Sequence, residues 1–328
     1  MTDGAQHGLV VGVDSGGSGL RVALARAVDG RILETVASKE PVRTGAGGID
    51  AGHLLAQSLP AVEAMTARHA GADDRIAAVA VGAAGMATLG DGLRAELPGA
   101  FARAWGVRRL ALAADAVTAY AGALGQRPGA VVAGGTGLIA MGTDLTAWRR
   151  ADGWGHLLGD CGSGAWIGRA GLEAAMRAHD GRRGGSAALL ARAAELFGPV
   201  AGLPGALYPR SDRPAVLASF APLVGDCAAA GDPVAVAVLE RAAGHIAEAA
   251  AAVCPSGADV EVALTGGLFK MGEPLLGPLR AELAASLPRA REVPAAGDPL
   301  AGAVTIAAAL AAGTVRLPGD PRLLELTR

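Results

Sequence analysis

The chain has few cysteines, and they are not arranged in a pattern that could hold a metal. Cys161, Cys227 and Cys254 are widely spaced, without a CxxC pair or a Cys/His set. Structural zinc is therefore not expected, because a zinc site needs closely spaced ligands of these types. A sparse, odd number of cysteines is typical of a protein kept in a reducing compartment.

Long apolar runs and a large net charge are also missing. The longest apolar runs, such as 304–312, fall well short of the roughly 20 residues that a membrane span needs. The first residues, MTDGAQHG, have neither the basic nor the apolar region of a signal peptide. A formal net charge of −2 provides no basic surface for nucleic acid or an anionic membrane. We therefore expect a cytoplasmic protein whose partners are neither nucleic acid nor membrane.

Glycine, by contrast, is abundant and clustered. The 328 residues include 50 glycines, roughly twice the usual share of about 7%. Many of them stand in pairs at the ends of apolar runs. Since 51% of the residues are hydrophobic, a chain of this length can form two domains with sizeable cores.

Apolar periodicity predicts an α/β fold in which the two halves of the chain share one architecture. Each half opens with strands joined by a glycine-rich turn, at 15–19 and 134–137, and continues with helices and strands. Such a pattern predicts mixed sheets covered by helices on both faces. The predicted strands are 9–13, 20–25, 31–37, 75–81, 107–114, 130–133, 138–141, 259–264 and 291–293, and the predicted helices are 49–69, 92–105, 116–124, 165–179, 186–197, 214–230, 233–253, 273–287 and 300–312.

Four residues directly follow apolar strands, namely Asp14, Asp115, Gly134 and Thr265. Ligands of such sheets collect at the carboxyl ends of strands, so these residues are candidates for one cleft. A hairpin of small residues exposes N–H groups that can cradle phosphate, although the same glycines also suit a purely structural turn. Asp14 could hold Mg²⁺ through water or cap its turn. Asp115 could be a general base or a helix cap.

Four stretches of the sequence resemble one protein family. They are GVDSGGSGLRVAL (12–24), LAADAVTA (112–119), VVAGGTGLIAMG (131–142) followed by GWGHLLGDCGSGAWIGR (153–169), and VALTGGLF (262–269). In this order they are similar to the first phosphate, connecting, second phosphate and adenosine motifs of the sugar kinase, heat-shock-70 and actin superfamily. Within it, the chain resembles the N-acetylglucosamine kinase branch, which also contains the BadF/BadG/BcrA/BcrD ATPases.

The resemblance implies two actin-like (ribonuclease-H-like) domains around a central cleft, each a mixed five-stranded sheet flanked by helices. The first domain is expected at 1–118, joined by a C-terminal helix at about 300–328. A larger second domain is expected at 119–299, with a helical insertion at about 165–253. The resemblance also implies a homodimer. The implied activity is transfer of phosphate from ATP, with Mg²⁺, to a hydroxyl of an amino sugar, namely O6 of N-acetylglucosamine.

The same resemblance assigns roles to individual residues. Asp115 would be the general base, Asp14 would hold Mg²⁺ through water, and Gly266 and Gly267 would form the floor under adenosine. The phosphates of ATP would lie on Gly16, Gly17, Ser18, Gly19, Gly135 and Thr136, and the sugar on Asp115, Thr136, Gly137, Gly153, Asp160 and Thr44. Trp154 and Trp166 are expected in the core rather than against the sugar.

Two departures from the family pattern leave the acceptor open. Cys161 stands where the family commonly has an acidic residue, and the loop at 39–48 lacks the asparagine that usually contacts the sugar, leaving Arg43 and Thr44. Glucosamine and N-acetylmuramic acid are therefore alternative acceptors. A BadF-type ATPase that drives electron transfer is a second hypothesis. A sensor without catalysis is a third, and the carboxylates Asp14 and Asp115 argue against it.

Overall fold

The computed structural model describes residues 8–16, 19–38, 40, 42–45, 48–71, 74–257 and 260–327. Its strands are β1 (Gly8–Gly16), β2 (Gly19–Arg26), β3 (Ile32–Ser38), β4 (Thr44–Gly45), β5 (Gly48–Ile49), β6 (Arg75–Ala83), β7 (Leu110–Ala114), β8 (Gly129–Gly134), β9 (Leu138–Thr143), β10 (Trp148–Asp152), β11 (Val260–Thr265), β12 (Ala290–Pro294) and β13 (Leu324–Thr327). Its α-helices are α1 (Ala51–His69), α2 (Met86–Leu89), α3 (Asp91–Trp105), α4 (Asp115–Leu124), α5 (Gly164–His179), α6 (Ala187–Phe197), α7 (Leu203–Leu207), α8 (Arg213–Ala229), α9 (Pro233–Val253), α10 (Glu273–Ser286) and α11 (Pro299–Ala312). The helices and strands predicted from periodicity are confirmed to within a few residues.

The chain divides into two compact units. The first unit contains the residues up to Pro128, Thr143–Trp148 and the chain from Pro294 onward, and the second contains Gly129–Gly142 and Arg149–Val293. The boundary expected after residue 118 falls inside α4. The units change at Pro128 instead, because α4 packs against α11, β6 and β7 of the first unit.

The sheet of the first unit has six strands, in the order β13-β7-β6-β1-β2-β3, where five were expected. β1, β6 and β7 are parallel, and β2 and β3 continue the sheet as antiparallel hairpins. The additional strand, β13, pairs antiparallel with β7 at the edge. Four residues are too few for periodicity to reveal a strand. The C-terminal helix that the resemblance placed at about 300–328 is shorter than implied, whereas the helix predicted from periodicity at 300–312 agrees with the structure. That helix, α11, ends at Ala312, and Gly313 follows with a φ of 70°.

Close backbone contacts hold α11 against the rest of the first unit. A Cβ on Gly302 of α11 would collide with the carbonyl oxygen of Thr118 in α4. A Cβ on Gly12 of β1 would lie 2.7 Å from Val304 of α11. These contacts bring the start of α11, where Asp298 accepts the N–H of Ala301 as helix cap, close to the β1–β2 hairpin.

The second unit has the expected five-stranded sheet, in the order β10-β9-β8-β11-β12, with β8 and β11 parallel. Helices α5, α6, α8 and α9 pack together on this sheet, and α10 packs on α9. Their contact surfaces are apolar, with Phe220, Leu239 and Ile246 fully buried. Over the described ranges no single helix is long and apolar enough to cross a membrane. Among these ranges, only α8 and α9 taken together, with a bend of 118° between them, are long and apolar enough. Both helices supply core residues of this unit.

The tightest contact between α5 and α8 leads to a stability prediction. A Cβ at Gly168 would collide with the carbonyl oxygen of Leu217, and overpacking of this kind typically costs about 1–3 kcal/mol. We expect Gly168→Ala to lower the free energy of unfolding by about that amount, measured by urea denaturation.

The matched control is Gly244→Ala in α9, where no atom lies within 4 Å of the added Cβ. This change is expected to stabilise by about 0.5–1 kcal/mol, since alanine is the better helix former. Equal destabilisation of both variants would show that the α5–α8 contact is not the cause.

Candidate active site

Asp14 lies at the carboxyl end of β1 and is held by an arginine from the neighbouring strand. In the β1–β2 register Asp14 stands opposite Arg21. Nε and Nη2 of Arg21 donate to Oδ2 of Asp14 at 3.1 and 2.6 Å, and Nη1 donates to Oδ2 of Asp298 at 2.5 Å. Burial lowers the pKa of Arg21. The hydrogen bonds to Asp14 and Asp298 together raise it by more, so the net shift of the pKa is upward. A guanidinium shared by two carboxylates therefore orients Asp14.

The glycine turn after β1 is described in part. Gly16 pairs with Gly19 across the hairpin, and a Cβ at Gly16 would meet no atom within 4 Å. Gly19 has a φ of 126° and lies close to the carbonyl oxygen of Ser38, so this position requires glycine. Gly17 and Ser18, also predicted to contact phosphate, lie outside the described residues.

Asp115 reaches the same edge of the first sheet as Asp14. Asp14 is in register with Gly82 of β6, and Gly82 is in register with Ala113 of β7. The ends of β1 and β7 are therefore two strand spacings apart, a distance of about 10 Å. Asp115 is the first residue of α4, and its Oδ1 accepts the N–H of Ala116 at 2.9 Å. Asp14 and Asp115 therefore lie at the same edge of this sheet.

The second unit builds a cavity of small-molecule size around its own glycine hairpin. The N–H groups of Gly164 and Ala165, at the start of α5, donate to the carbonyls of Gly135 and Thr136 at 2.9 and 3.0 Å. The hairpin is therefore fixed to the end of a helix. Gly266 has a φ of 104°, and a Cβ there would collide with the carbonyl oxygen of Gly134. This contact joins the predicted adenosine motif to the hairpin at the ends of the parallel strands β8 and β11.

The cavity has a volume of about 510 Å³, within the usual range of about 300–1,000 Å³ for small-molecule sites. Its lining combines the hairpin, the adenosine motif and one face of α8, namely Gly135, Thr136, Gly164, Ala215, Ala218, Ser219, Ala221, Pro222, Gly267, Leu268, Lys270 and Met271. Gly135, Thr136 and Gly267 were predicted from the sequence, whereas the α8 wall was missed. Small residues at helical spacing in α8 are the signal that could have indicated it.

Asp160 is nearly buried against the same hairpin, with 8% of its surface exposed. Its Oδ1 accepts the N–H of Gly155 at 2.9 Å, and a Cβ on Gly137 would lie 2.5 Å from its Oδ2. Burial raises the pKa of Asp160 most, the N–H of Gly155 lowers it, and the charge of Asp152 raises it again, leaving a net upward shift.

A raised pKa has a defined consequence for stability. Folding favours the protonated form of Asp160. Its contribution to the stability of the fold is therefore fully present below the pKa of the unfolded state, and it is lost as the pH rises through the higher pKa of the folded state. At neutral pH the buried carboxylate is a costly charge that gains from further hydrogen-bond donors. Hydroxyl groups of a polyol supply such donors.

Asp152 is a site residue that the sequence reasoning missed. Its two carboxylate oxygens accept the backbone N–H groups of Asp160 and of Cys161, the latter at 2.8 Å. Asp152 and Asp160 have φ angles of 61° and 53°, a region that aspartate tolerates better than most residues. An Asp-Gly pair at the end of a polar strand is the signal that could have indicated this turn.

Of the two tryptophans predicted in the core, one is there and one is not. Trp166 packs against the core of the second unit, whereas Trp154 is 64% exposed with the Arg150 guanidinium 4.6 Å from its ring centre. Gly153 and Gly155, with φ angles of 73° and 82°, turn the chain outward on both sides of Trp154. Gly153 also donates its N–H to Leu138 beside the hairpin, so this predicted residue lies near Asp160.

Thr44, the remaining predicted sugar contact, lies elsewhere in the first unit. It forms a short antiparallel ladder with Ile49, and its side chain is exposed. The structure thus groups Asp14, Gly16, Gly19 and Asp115 on one sheet edge of the first unit. It groups Gly135, Thr136, Gly137, Gly153, Asp160, Gly266 and Gly267 around the hairpin of the second.

The described residues contain no group of three or more His, Cys, Asp or Glu side chains that could enclose a metal ion. Mg²⁺ bound with a nucleotide does not need such a cage, because it keeps several waters and takes one or two carboxylates plus phosphate oxygens. Asp14, partly exposed at 15% and oriented by Arg21, fits that kind of ligand.

The repeated glycine hairpin, mixed sheet and flanking helices define the actin-like class of α/β proteins. Within that class the chain belongs to the BadF/BadG/BcrA/BcrD ATPase family, whose model matches residues 11–307. The family resemblance and the fold class expected from the sequence are both confirmed.

The chain is similar to solved structures and to a curated relative whose names specify sugar kinases. A protein from Chromobacterium violaceum, assigned as an N-acetylglucosamine kinase, is 29% identical with a TM-score of 0.71, over 91% of this chain and 98% of that one. A glucokinase from Streptomyces griseus, solved with glucose and AMPPNP, shares the fold at 22% identity and a TM-score of 0.54, over 94% and 99%. The N-acetylmuramic acid/N-acetylglucosamine kinase of Clostridium acetobutylicum is 42% identical over 69 residues, which is 21% of this chain and 22% of that enzyme.

The role of Asp152 can be tested by removing its carboxylate. Asp152→Ala leaves the N–H groups of Asp160 and Cys161 without their acceptor, and each unpaired buried donor costs about 1–3 kcal/mol. We expect faster hydrogen exchange at these two amides and a loss of stability of at least about 1 kcal/mol.

Asp144→Ala is the control, since Asp144 also accepts two backbone N–H groups, those of Thr146 and Ala147, but is exposed. Water can replace its carboxylate there, so little loss is expected. Unchanged exchange at Asp160 and Cys161 in Asp152→Ala would contradict the assignment.

Proposed function

We propose that this protein is an ATP-dependent kinase that phosphorylates a hydroxyl, namely O6, of an amino sugar, with N-acetylglucosamine as the first candidate. One observation carries the proposal. The hairpin whose Gly135 and Thr136 line the nucleotide-sized cavity also contacts, through Gly137, the nearly buried carboxylate of Asp160. A phosphate-binding turn and a hydroxyl acceptor therefore share one short segment of the second unit.

The family and its relatives support the same function. The family is one of ATPases, and the similar proteins from Chromobacterium violaceum and Clostridium acetobutylicum have names that specify N-acetylglucosamine kinases. Cys161 and a loop without asparagine at 39–48 keep glucosamine and N-acetylmuramic acid as alternative acceptors. The homodimer implied by the resemblance stays a prediction.

The proposed chemistry assigns each residue one task. Gly16, Gly19 and Thr136 bind the phosphates through backbone N–H groups, and the cavity beside Gly267 holds the adenosine. Gly135, whose own N–H donates to the carbonyl of Gly137 at 2.9 Å, contributes by having no side chain that would keep the phosphates away. Asp160 and Thr136 orient the sugar by accepting hydrogen bonds from its hydroxyls. Mg²⁺, when bound with ATP, would be held at Asp14 and would neutralise phosphate charge.

Asp115 is the proposed general base. It accepts the proton of the attacking hydroxyl while the hydroxyl oxygen bonds to the γ-phosphorus. The bond from that phosphorus to the bridging oxygen breaks, and ADP leaves with the electron pair. The position of Asp115 at the start of α4, on the same sheet edge as Asp14, supports this role.

Release of ADP tests the function directly. We expect one sugar among N-acetylglucosamine, glucosamine, N-acetylmuramic acid, N-acetylmannosamine and glucose to stimulate ADP release far above water alone. Asp115→Asn is expected to lower kcat with that sugar by about 10²–10⁴, the usual contribution of a positioned base. Its affinity for ATP should be retained.

Asp91→Asn, at a fully exposed carboxylate that also begins a helix, is the matched control and should keep normal turnover. Steady ADP release that no sugar stimulates would replace the kinase with an ATPase of the same family. Normal turnover in a folded Asp115→Asn variant would remove Asp115 from the role of base.

Lys270 provides a test of the nucleotide cavity that needs no turnover. Only Lys39 and Lys270 are lysines among the 29 Lys and Arg residues. Lys270 lines the cavity, and no ion pair engages it within the described part of the chain. We expect Lys270→Met to weaken ADP binding about tenfold or more, since a hydrogen bond to a charged group contributes about 1.5–3 kcal/mol.

Adenosine, which has no phosphate, should bind the variant as well as it binds the wild type, and Lys270→Arg should restore ADP affinity. Calorimetry gives both affinities. An equal loss for adenosine and ADP would mean that Lys270 acts through packing rather than charge.

A further inference from the structure

A proline stands inside α8, on the face of the helix that lines the cavity. Four helices in the described part of the chain contain an internal proline, namely Pro60, Pro98, Pro222 and Pro278. Pro222 belongs to the lining of the cavity beside the glycine hairpin, together with Ala218. Proline has no N–H, so inside a helix it removes one backbone hydrogen bond. Its position in α8 therefore changes the polar groups that this wall presents to the cavity.

The group that loses its partner is the backbone carbonyl of Ala218. In an α-helix each carbonyl accepts the N–H of the residue four positions later, and for Ala218 that residue is Pro222. The N–H groups on either side of Pro222 have their own carbonyl acceptors in the same pattern. No described side chain donates to the Ala218 oxygen, and the hydroxyl of Ser219 beside it donates to the carbonyl of Val216 at 2.7 Å. The helix thus leaves the Ala218 carbonyl without its usual donor.

This carbonyl lies on the wall of the cavity. Four residues of α8 line the cavity at spacings of three and four positions, namely Ala215, Ala218, Ser219 and Pro222. Residues at these spacings share one face of a helix. A helix carbonyl points along the axis toward the residue four positions later, so the Ala218 oxygen lies between two lining residues. Ala218 is half-buried and Pro222 is exposed, so a ligand in the cavity can approach the oxygen between them.

The α8 wall offers hydrogen-bond acceptors to the cavity, and its described lining residues have no unused donor. The hydroxyl proton of Ser219 is engaged by the helix backbone, and the N–H of Ala215 donates to the carbonyl of Asp212 at 2.9 Å. On the facing side of the cavity, Leu268 and Met271 are apolar and suit packing against a flat ring. A base in this cavity would therefore gain most by presenting a donor to α8.

Ala218 lies near the hairpin, and its carbonyl points away from it. A Cβ on Gly164 would lie 3.3 Å from the Cβ of Ala218, and Gly164 donates its N–H to Gly135 of the hairpin. Further along α8, a Cβ on Gly225 would lie 2.8 Å from Cγ of Met271. A base that extends from the hairpin along α8 therefore passes the Ala218 carbonyl before it reaches Met271.

We propose that the Ala218 carbonyl, which Pro222 leaves without a donor, accepts a hydrogen bond from the amino group of adenine and makes the cavity select adenine over a 6-oxopurine. Adenine carries an amino donor at the 6-position, whereas guanine and hypoxanthine carry an oxygen acceptor there. An oxygen opposite the carbonyl would leave both acceptors without a donor, which disfavours binding. The inference rests on the proposed assignment of this cavity to the nucleotide, and it adds the choice of base.

Substitution of the proline tests the inference, since Pro222→Ala provides the N–H that the Ala218 carbonyl lacks. Calorimetry with ADP and IDP, which carry an amino group and an oxygen at the 6-position, gives the ratio of their dissociation constants. We expect the wild type to bind ADP about tenfold more tightly than IDP, and Pro222→Ala to bring the ratio to about one. Loss of apolar contact with the proline ring would weaken both nucleotides and leave the ratio unchanged.

Pro98→Ala is the matched control. It also supplies an N–H inside a helix, α3 of the first unit, so it reproduces any general gain in helix stability without changing the cavity. Its ratio of affinities should equal that of the wild type. Ser219→Ala should keep the ratio as well, because the discrimination is assigned to the carbonyl of Ala218 and not to the neighbouring hydroxyl.

The outcomes separate this inference from the kinase proposal. Equal affinity of the wild type for ADP and IDP, or an unchanged ratio in Pro222→Ala, overturns the inference and leaves the kinase proposal intact. If no sugar stimulates ADP release, the kinase proposal fails, while the ratio of affinities still decides the role of the Ala218 carbonyl. Binding of neither nucleotide would overturn both.

Discussion

Contact between backbones at glycine sets the geometry of the candidate active site. In the second unit, Gly266 lies directly against the carbonyl of Gly134, so the ends of β11 and β8 meet without an intervening side chain. The hairpin that follows β8 is then fixed by two N–H groups from the start of α5. A cavity with backbone walls can bring N–H groups within reach of phosphate, which bulkier residues at these positions would prevent.

Close backbone contact at glycine also occurs in the first unit, where it positions charged side chains instead of forming a cavity. Gly302 lets α11 approach α4 at backbone distance, and Gly12 lets β1 pass beneath α11. The cap of α11, Asp298, is thereby within reach of Arg21, which in turn orients Asp14. Close packing of small residues thus decides where a charged group at the sheet edge points.

Both units fix a carboxylate through partners that have no part in the proposed reaction. Arg21 holds Asp14 by charge, and Asp152 holds the backbone on which Asp160 stands. The energetic consequences differ. Asp14 is paired with a cation, whereas Asp160 is buried near a second carboxylate and has a raised pKa. A paired carboxylate suits a site for a hydrated metal, and a buried one that can accept further hydrogen bonds suits recognition of hydroxyl groups.

The sequence by itself determined the α/β class, the order of nearly all helices and strands, the duplicated glycine hairpin and the family, because periodicity and glycine turns are local properties. It also indicated Asp14 and Asp115, which directly follow apolar strands, and the family resemblance added Asp160. Only the tertiary structure decided the Arg21–Asp298 contact, the α8 wall of the cavity, the exposure of Trp154 and the edge strand β13. Arg21 and Asp298 are 277 residues apart, and no local pattern encodes which distant surfaces will pack together.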